Sequence, residues 1–299
     1  MTAKRLLIIG CGDVGIRVAR LLRPRFRVYA LTRESSRCAV LRGQGVLPLV
    51  GDLDRRQGLS ALTGLAHAVI HLAPPPAAGT VDTRTAHLIA ALARARSLPQ
   101  HFVYISTSGV YGDCSGALVD ETSRLRPATA RARRRVDAER RLRDWGKRSG
   151  VRVSILRVPG IYSEDRLPIA RLERGTPALR DEEDSYVNHV HADDLARMVV
   201  AALHRGQPNR SYNASDDAPQ KMGDYFDLVA DRFSLPRPPR LPRVEARQVL
   251  PEMLYLFMSE SRRLVNDRVK RELRVRLRYP TVHEGVAAAA AARDAAHAG

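Results

Sequence analysis

Apolar runs alternate with helix-period segments along the first half of the chain. Leu6 to Ile9 are four consecutive apolar residues, the length and composition of a strand buried on both faces. The next segment, Ile16 to Leu22, has apolar residues at a helical spacing. The alternation continues, with strands predicted at 27–32, 46–50, 68–73, 101–106 and 151–156 and helices at 83–95 and 127–147. This pattern predicts an α/β fold built on a doubly wound parallel sheet.

A glycine-rich turn joins the first strand to the first helix. Gly10, Gly12 and Gly15 have the spacing G-x-G-x-x-G, with Asp13 and Val14 inside the loop. In this context the spacing is typical of a Rossmann-type unit that binds a dinucleotide. The helix N-terminus adds free N–H groups for the phosphates. The alternative is a glycine turn that only packs the helix on the sheet.

The end of the second strand indicates which dinucleotide is bound. Units that bind NAD often place Asp or Glu here to bond the ribose hydroxyls, but this chain has Thr32 and Arg33. A guanidinium binds a 2′-phosphate in a forked geometry, whereas a carboxylate repels it. The sequence therefore predicts NADP, with NAD as the second choice and Arg33 as the main contact. The alternative is an ordinary surface arginine.

The next two strands end at the same edge of the sheet. Asp52 and Leu53 follow the third strand, where the carboxylate would accept from the adenine amino group or simply form a turn. Leu72, Ala73 and Pro74 end the fourth strand. Because the carboxyl ends of such strands face the ligand crevice, we expect all five residues to lie along the cofactor.

Hydroxyl groups cluster where the fifth strand ends. Thr107 and Ser108 stand in the stretch Ser106 to Asp113, which reaches the same edge. Hydroxyls there are able to polarise a carbonyl or hold a substrate hydroxyl. We therefore predict a substrate site beside the cofactor.

Composition argues against a membrane-spanning protein, a disulfide-rich protein and a zinc-cluster protein. The chain has 299 residues, of which 44% are hydrophobic, so it can bury a sizeable core. No run approaches the roughly 18 apolar residues of a membrane span. Cys11, Cys38 and Cys114 are too few and too scattered for a disulfide framework or a zinc cluster, so no metal is predicted. The first strand begins at once, without room for a signal peptide, and the expected location is the cytoplasm.

The chain is strongly basic, with a net charge of +18. Such a charge attracts nucleic acid or phosphorylated ligands. The arginines are spread along the chain and no aromatic stacking platform accompanies them, which favours charges on solvated faces over a nucleic-acid interface.

Two domains are expected. Residues 1–160 form the predicted NAD(P)-binding domain and residues 161–299 a smaller substrate-binding lobe that caps the crevice. Within the second part, 189–203 is predicted to return to the first domain. The stretch from Leu254 to Leu273 is predicted to be broadly helical.

Several motifs in this order resemble the extended short-chain dehydrogenase/reductase superfamily, the NAD-dependent epimerase/dehydratase group. The resemblance covers nearly the whole chain and rests on six stretches: Gly10–Gly15, Asp52, His71–Ala73, Ile105–Gly112, Leu156–Tyr162 and His189–Ala196. It implies a catalytic Ser or Thr four residues before the Tyr of a Val-Tyr-Gly triplet. Here these residues are Thr107 and Tyr111. Members often form dimers, so a homodimer is expected from the resemblance.

The catalytic pair of that superfamily, Tyr-x-x-x-Lys, is replaced in this chain. Counting from Pro127 places Arg131 at the Tyr position, and counting back from Glu139 places Arg135 at the Lys position. Arginine stays protonated in proteins and cannot act as the general base. The replacement is similar to the atypical, YeeZ-like branch of the superfamily.

Two main functions remain. The first is an NADP-dependent oxidoreductase or epimerase/dehydratase that acts on a polar substrate, for example a nucleotide-linked one. Thr107 and Tyr111 would be its catalytic residues, with Asp113 and His189 as other proton sources, and four residues would bind substrate: Ser108, Arg131, Arg135 and His189. The second is a non-catalytic NADP-binding sensor or scaffold. Polyanion binding is a third, weaker alternative.

Overall fold

A parallel sheet of seven strands organises residues 4–297, the part of the chain that this computed structural model describes. The strands are β1 (Lys4–Ile9), β2 (Phe26–Thr32), β3 (Leu47–Val50), β4 (Ala68–His71), β5 (His101–Thr107), β6 (Leu118–Val119), β7 (Arg152–Val158), β8 (Gly160–Tyr162), β9 (Ala178–Leu179), β10 (Tyr186–Val187), β11 (His189–His191), β12 (Arg210–Asn213), β13 (Gln220–Lys221), β14 (Arg240–Leu241) and β15 (Arg263–Leu264). The helices are α1 (Asp13–Leu22), α2 (Arg37–Gly43), α3 (Thr83–Leu92), α4 (Ala130–Ser149), α5 (Ile169–Glu173), α6 (Ala192–Arg205), α7 (Met222–Arg232), α8 (Arg243–Val249), α9 (Glu252–Ser259), α10 (Asp267–Leu273) and α11 (Val282–His297). Short 3₁₀ turns include Ser108–Tyr111 and Glu164–Arg166.

The strand order is β3-β2-β1-β4-β5-β7-β12, and every neighbouring pair is parallel. The direction of winding reverses between β1 and β4, so the crossover helices diverge to opposite faces at that point. A crevice opens there at the carboxyl edge of the sheet, which is where open α/β sheets bind ligands. The sheet confirms the predicted Rossmann-type fold.

The central strand shows why this sequence forms such a sheet. Leu6 and Ile8 face a layer that contains α1, α6 and α10, whereas Leu7 and Ile9 face a layer that contains α3 and α4. All four side chains are at most 1% exposed. An apolar run without polar alternation therefore fits a strand that is covered on both faces.

A third apolar core belongs to the lobe after β7. Tyr162, Leu172, Met222, Phe226 and Val282 are among its members, and they bring α5, α7 and α11 together. Among residues 4–297, none of the helices has the length and apolar composition needed to cross a membrane.

The chain returns to the first domain over a longer stretch than the predicted 189–203. Helix α6 packs with α1 in one core, and β12, ending at Asn213, forms the edge of the seven-stranded sheet. Helix α10 joins the same core through Val269 and Leu273. The prediction that Leu254–Leu273 is broadly helical is confirmed by α9 and α10, and between them β15 pairs with β6.

Candidate cofactor and substrate cleft

The glycine loop has the geometry that its spacing predicts. Gly10 has a φ of +85°, and a Cβ placed on it would lie 2.5 Å from the backbone nitrogen of Ala73. A Cβ on Gly15 would lie 3.2 Å from the Gly10 carbonyl oxygen and 3.3 Å from Leu72. A Cβ on Gly12 would meet no atom within 4 Å, so the face of the loop at Gly12 is open. This open face fits the pyrophosphate of a dinucleotide.

Helix α1 begins at this open face. Gly12 is its N-cap residue and supplies no side-chain cap, so the first N–H groups, those of Asp13, Val14 and Gly15, keep their bonding capacity. The Asp13 carboxylate is held back by Arg17, whose Nε donates to it at 2.8 Å. The N-terminus of α1 therefore presents N–H groups and the positive end of its dipole to a bound phosphate.

A cavity of about 260 Å³ extends from the loop across the ends of β2, β3 and β4. Seven of the predicted cofactor residues line it together: Gly10, Thr32, Arg33, Asp52, Leu53, Ala73 and Pro74. Asp52 also forms the turn considered as its alternative role, since its Oδ1 accepts from the Asp54 backbone N–H at 2.9 Å. The structure thus gathers residues that are far apart in the sequence at one ligand-sized site.

Three arginines border this cavity. The Arg33 side chain is 63% exposed, and its one ion pair is with Glu34 at 3.7 Å. Arg37 donates from Nη2 to the Cys11 carbonyl oxygen at 3.0 Å. Arg84 is held by a 2.6 Å ion pair to Asp54. The sequence analysis did not single out Arg37 or Arg84, and only the position of Arg37 four residues after Arg33 could have indicated its role.

The substrate side of the cleft begins where β5 ends. Thr107 is half-buried, and its Oγ1 accepts from the Gly109 backbone N–H at 3.2 Å, which leaves the hydroxyl proton free to donate. Ser108 is buried and lines a second, smaller cavity. The other residues that line this cavity are Pro159, Gly160, Tyr186, Val187, Asn188, Phe257, Glu260 and Arg262, and the sequence analysis assigned a role to none of them.

Tyr111 is not placed to move a proton in the cleft. It is 0% exposed, donates its hydroxyl to Asn213 Oδ1 at 2.7 Å and accepts from Arg157 Nη1 at 3.0 Å. Arg157 is in turn paired with Glu139 at 2.8 Å. Burial raises the pKa of the Tyr111 phenol to about 12. The catalytic assignment of Tyr111 is therefore corrected: the phenol is one member of a buried network that joins β7, β12 and α4.

Arg135 is also corrected, because its side chain is not available to a substrate. It is 5% exposed, and its Nη1 donates to the Tyr104 hydroxyl at 2.9 Å and to the Ile105 carbonyl oxygen at 2.8 Å. A longer contact of 3.4 Å reaches the Ala73 carbonyl oxygen. Arg131, one turn earlier on α4, is exposed and has no hydrogen bond or ion pair within residues 4–297.

His189 lies in the core of the lobe instead of on the substrate side of the cleft. It is 5% exposed, and its ring packs on Tyr225 with the ring centroids 4.2 Å apart. Gly160 stands between it and the smaller cavity, since a Cβ on Gly160 would lie 3.1 Å from the imidazole. Burial lowers the pKa of His189 to about 4, so the imidazole is neutral at physiological pH. The prediction that His189 contacts the substrate is therefore corrected: the imidazole is buried in the lobe.

Known proteins share this architecture. A functionally unknown conserved protein from Silicibacter pomeroyi is 29% identical, with a TM-score of 0.80 over 98% of this chain and 100% of that chain. The UDP-glucose 4-epimerase of Thermotoga maritima, solved with UDP-glucose, is 17% identical, with a TM-score of 0.79 over 98% of this chain and 99% of that chain. Both likenesses extend over the first domain and the lobe.

A curated relative matches a shorter stretch. The trifunctional UDP-glucose 4,6-dehydratase/UDP-4-keto-6-deoxy-D-glucose 3,5-epimerase/UDP-4-keto-L-rhamnose-reductase of Arabidopsis thaliana is 23% identical over 176 residues. The match covers 55% of this chain but only 26% of that protein. The sequence profile of the NAD dependent epimerase/dehydratase family matches residues 6–215, which include the glycine loop, the ends of β1 to β5 and the whole of α4. This chain therefore belongs to the NAD dependent epimerase/dehydratase family.

Proposed function

We propose that this protein binds NADP(H) in the larger cavity and is an oxidoreductase or epimerase/dehydratase that acts on a polar substrate. The observation that carries the proposal is the pairing of the open glycine loop with the arginines at the end of β2. Arg33 and Arg37 border the cavity after the end of β2, where Glu34 is the neighbouring carboxylate, while Asp52 lines the cavity after the end of β3. The two guanidiniums that follow β2 favour a 2′-phosphate over a free 2′-hydroxyl.

The substrate would lie beside the cofactor, between Thr107 and the smaller cavity. A bound nicotinamide supplies the site that gives or takes hydride. The Thr107 hydroxyl would donate to a substrate carbonyl and stabilise negative charge on its oxygen. Ser108 faces the adjoining cavity, where it would hold a polar group of the substrate.

The cofactor part of the proposal is tested by thermal unfolding with NADP, NADPH, NAD and NADH in turn. A ligand that binds only the folded protein raises the unfolding midpoint by mass action. We expect a clear rise with NADP and NADPH and a smaller one with NAD and NADH. If none of the four nucleotides raises the midpoint, the glycine loop is only structural and the proposal fails.

The catalytic part is tested by following NADPH absorbance with sugar nucleotides and other carbonyl compounds. For a substrate that turns over, Thr107→Val is expected to lower kcat at least about tenfold, since it removes a hydrogen bond made to developing charge. Thr107→Ser keeps the hydroxyl and is the matched control. Equal kcat values for the Val and Ser variants would remove Thr107 from the reaction.

A non-catalytic NADP sensor or scaffold is the second candidate. It is favoured by the replacement of the tyrosine and lysine by Arg131 and Arg135, and by the burial of Tyr111. The sensor hypothesis predicts cofactor binding without turnover, and partner association that differs between NADP and NADPH. Partner binding that is the same with and without cofactor would count against it.

A further inference from the structure

The first turn of α4 is rich in arginine, and Thr129 caps it, since its Oγ1 accepts from the Ala132 backbone N–H at 3.1 Å. A helix N-terminus carries the positive end of the dipole and is stabilised by acidic side chains. This first turn has no acidic residue. Arginines follow instead at 131, 133, 134 and 135. The first carboxylate on the helix, Asp137, is already engaged by Arg140, Arg141 and the Asp82 backbone N–H.

Two of these arginines are buried, and neither forms an ion pair with a carboxylate of residues 4–297. Arg134 is 6% exposed and donates to the carbonyl oxygen of Gly79. Arg135 is 5% exposed and is bonded only to a phenol and two carbonyl oxygens. The Nε atoms of both side chains are buried and have no partner among the described residues. Burial raises the pKa of the nearby Asp82 carboxyl, and the Arg135 guanidinium opposes that rise. At Arg131, the charges of Arg134 and Arg135 still make the surroundings positive.

Arg131 is the member of the set that an approaching ligand would meet. It lies four residues before Arg135, so the two side chains share one face of α4. Arg131 is exposed, whereas Arg135 is buried against the ends of β4 and β5. Partial burial and the like charges of Arg135 and Arg134 lower the pKa of Arg131. An anion at this point would therefore stabilise all three cations.

The position of this turn relates it to the cleft. A Cβ on Gly109 would lie 3.6 Å from Thr107 Oγ1 and 4.0 Å from the Cβ of Ala132, so the start of α4 packs beside the threonine. Arg135 contacts the carbonyl oxygen of Ala73, which borders the cofactor cavity. Arg131 is thus next to the point where the substrate would meet the cofactor.

We propose that the first turn of α4 binds an oxoanion group of the substrate, a carboxylate or a phosphate, with Arg131 as its ligand. Arg135 is a positioning residue that keeps the site positive while remaining bonded to the strand ends. The proposal rests on the proposed function, because it identifies a substrate class for the same cleft. It replaces the expectation that Arg131 and Arg135 both bind the substrate directly.

The test compares Arg131→Gln with Arg148→Gln by thermal unfolding. Arg148 is exposed on the last turn of the same helix, about 25 Å along the axis from Arg131, and its loss changes the net charge equally. Sodium malonate and sodium phosphate are titrated against sodium chloride of equal ionic strength, with and without NADP. The malonate and phosphate arms distinguish a carboxylate site from a phosphate site.

We expect one of the two anions to raise the unfolding midpoint of the wild type and of the Arg148 variant. In the Arg131 variant its apparent affinity should fall at least about tenfold, the cost of one lost charge-assisted hydrogen bond. Equal responses in the two variants would overturn the proposal, as would the absence of any response beyond that to chloride. Loss of NADP binding in Arg131→Gln would overturn it as well, since Arg131 would then be a cofactor contact.

Failure of the proposed function has a separate signature. In that case NADP and NADPH do not raise the unfolding midpoint of the wild type, whatever the anions do. The anion response in the arm without NADP still decides whether the site exists.

Discussion

The cofactor side of the cleft is shaped mainly by backbone, whereas its substrate side is shaped by side chains. Around the glycine loop, the close approach of Gly10 to Ala73 and the open face at Gly12 depend on the absence of a Cβ. Beyond the end of β5, side chains tie the elements together, since Tyr111 bonds to Asn213 and Arg157, and Arg135 bonds to Tyr104. Backbone constraints limit the residue types at each position of the glycine loop, so the cofactor side has the recognisable spacing G-x-G-x-x-G. Side-chain networks permit replacement, and the assignment of Arg131 and Arg135 to the positions of the usual tyrosine and lysine stays a prediction.

The largest expected effect tests the backbone account with two glycine variants. Gly10→Ala places a Cβ 2.5 Å from the Ala73 nitrogen at a φ of +85°. We expect a loss of about 3 kcal/mol or more of unfolding free energy, from the positive φ and the clash together. Gly12→Ala should change stability by less than about 0.5 kcal/mol, because its Cβ meets no atom, but it should weaken cofactor binding at least about tenfold.

Urea unfolding and NADPH titration of both variants provide the measurements. The backbone account would be contradicted if Gly10→Ala were as stable as the wild type. It would also fail if Gly12→Ala bound NADPH as tightly as the wild type.

A somewhat smaller effect concerns pH and the substrate side. Burial lowers the pKa of His189 from 6.5 to about 4 in the folded protein. Between these values the unfolded chain binds a proton that the folded protein does not, so stability falls as pH drops from 6.5 towards 4 and is unaffected above 6.5. The contribution of His189 is roughly 2–3 kcal/mol between pH 7 and 4.5. Urea unfolding at the two pH values should show this loss in the wild type and a correspondingly smaller loss in His189→Gln.

The same pH dependence in the wild type and in His189→Gln would contradict the buried setting of this imidazole. His189 would then again be a candidate substrate-binding residue.

The smallest expected effect separates structure from catalysis at Tyr111. Tyr111→Phe removes the donor to Asn213 Oδ1 and the acceptor for Arg157 Nη1. Both partners are buried, so we expect a loss of about 1–3 kcal/mol of unfolding free energy. NADPH affinity, and turnover of any substrate found, should stay within about twofold of the wild type. A variant as stable as the wild type but without turnover would restore the catalytic assignment of Tyr111.

The parts of the fold that local pattern determines could be predicted from the sequence. The apolar run from Leu6 to Ile9 indicates a strand that is covered on both faces. The glycine spacing indicates a loop whose backbone approaches another segment of the chain closely. The family profile over residues 6–215 and the parallel sheet agree with that prediction. The short strand β15 inside the broadly helical stretch 254–273 could not be predicted, because Arg263 and Leu264 pair with Leu118 and Val119, far away in the chain.

The burial and the hydrogen-bond partners of the polar residues were harder to predict, since they depend on neighbours that only the fold brings together. Counting from Pro127 and Glu139 singled out Arg131 and Arg135, but it could not show that the Tyr104 hydroxyl and the Ile105 carbonyl oxygen accept hydrogen bonds from Arg135. Likewise, nothing local to His189 indicates that Tyr225 covers its ring. The narrower YeeZ-like assignment stays a prediction.

The most direct test of the account is the ratio of the NADH and NADPH dissociation constants, measured by fluorescence titration. We predict that the wild type binds NADPH at least about tenfold more tightly than NADH, since Arg33 would make charge-assisted bonds to the 2′-phosphate. Arg33→Asp should abolish or reverse that preference, whereas Arg94→Asp, an equal charge change at an exposed position after α3, should retain it. Equal affinities in the wild type, or tighter binding of NADH, would contradict the account.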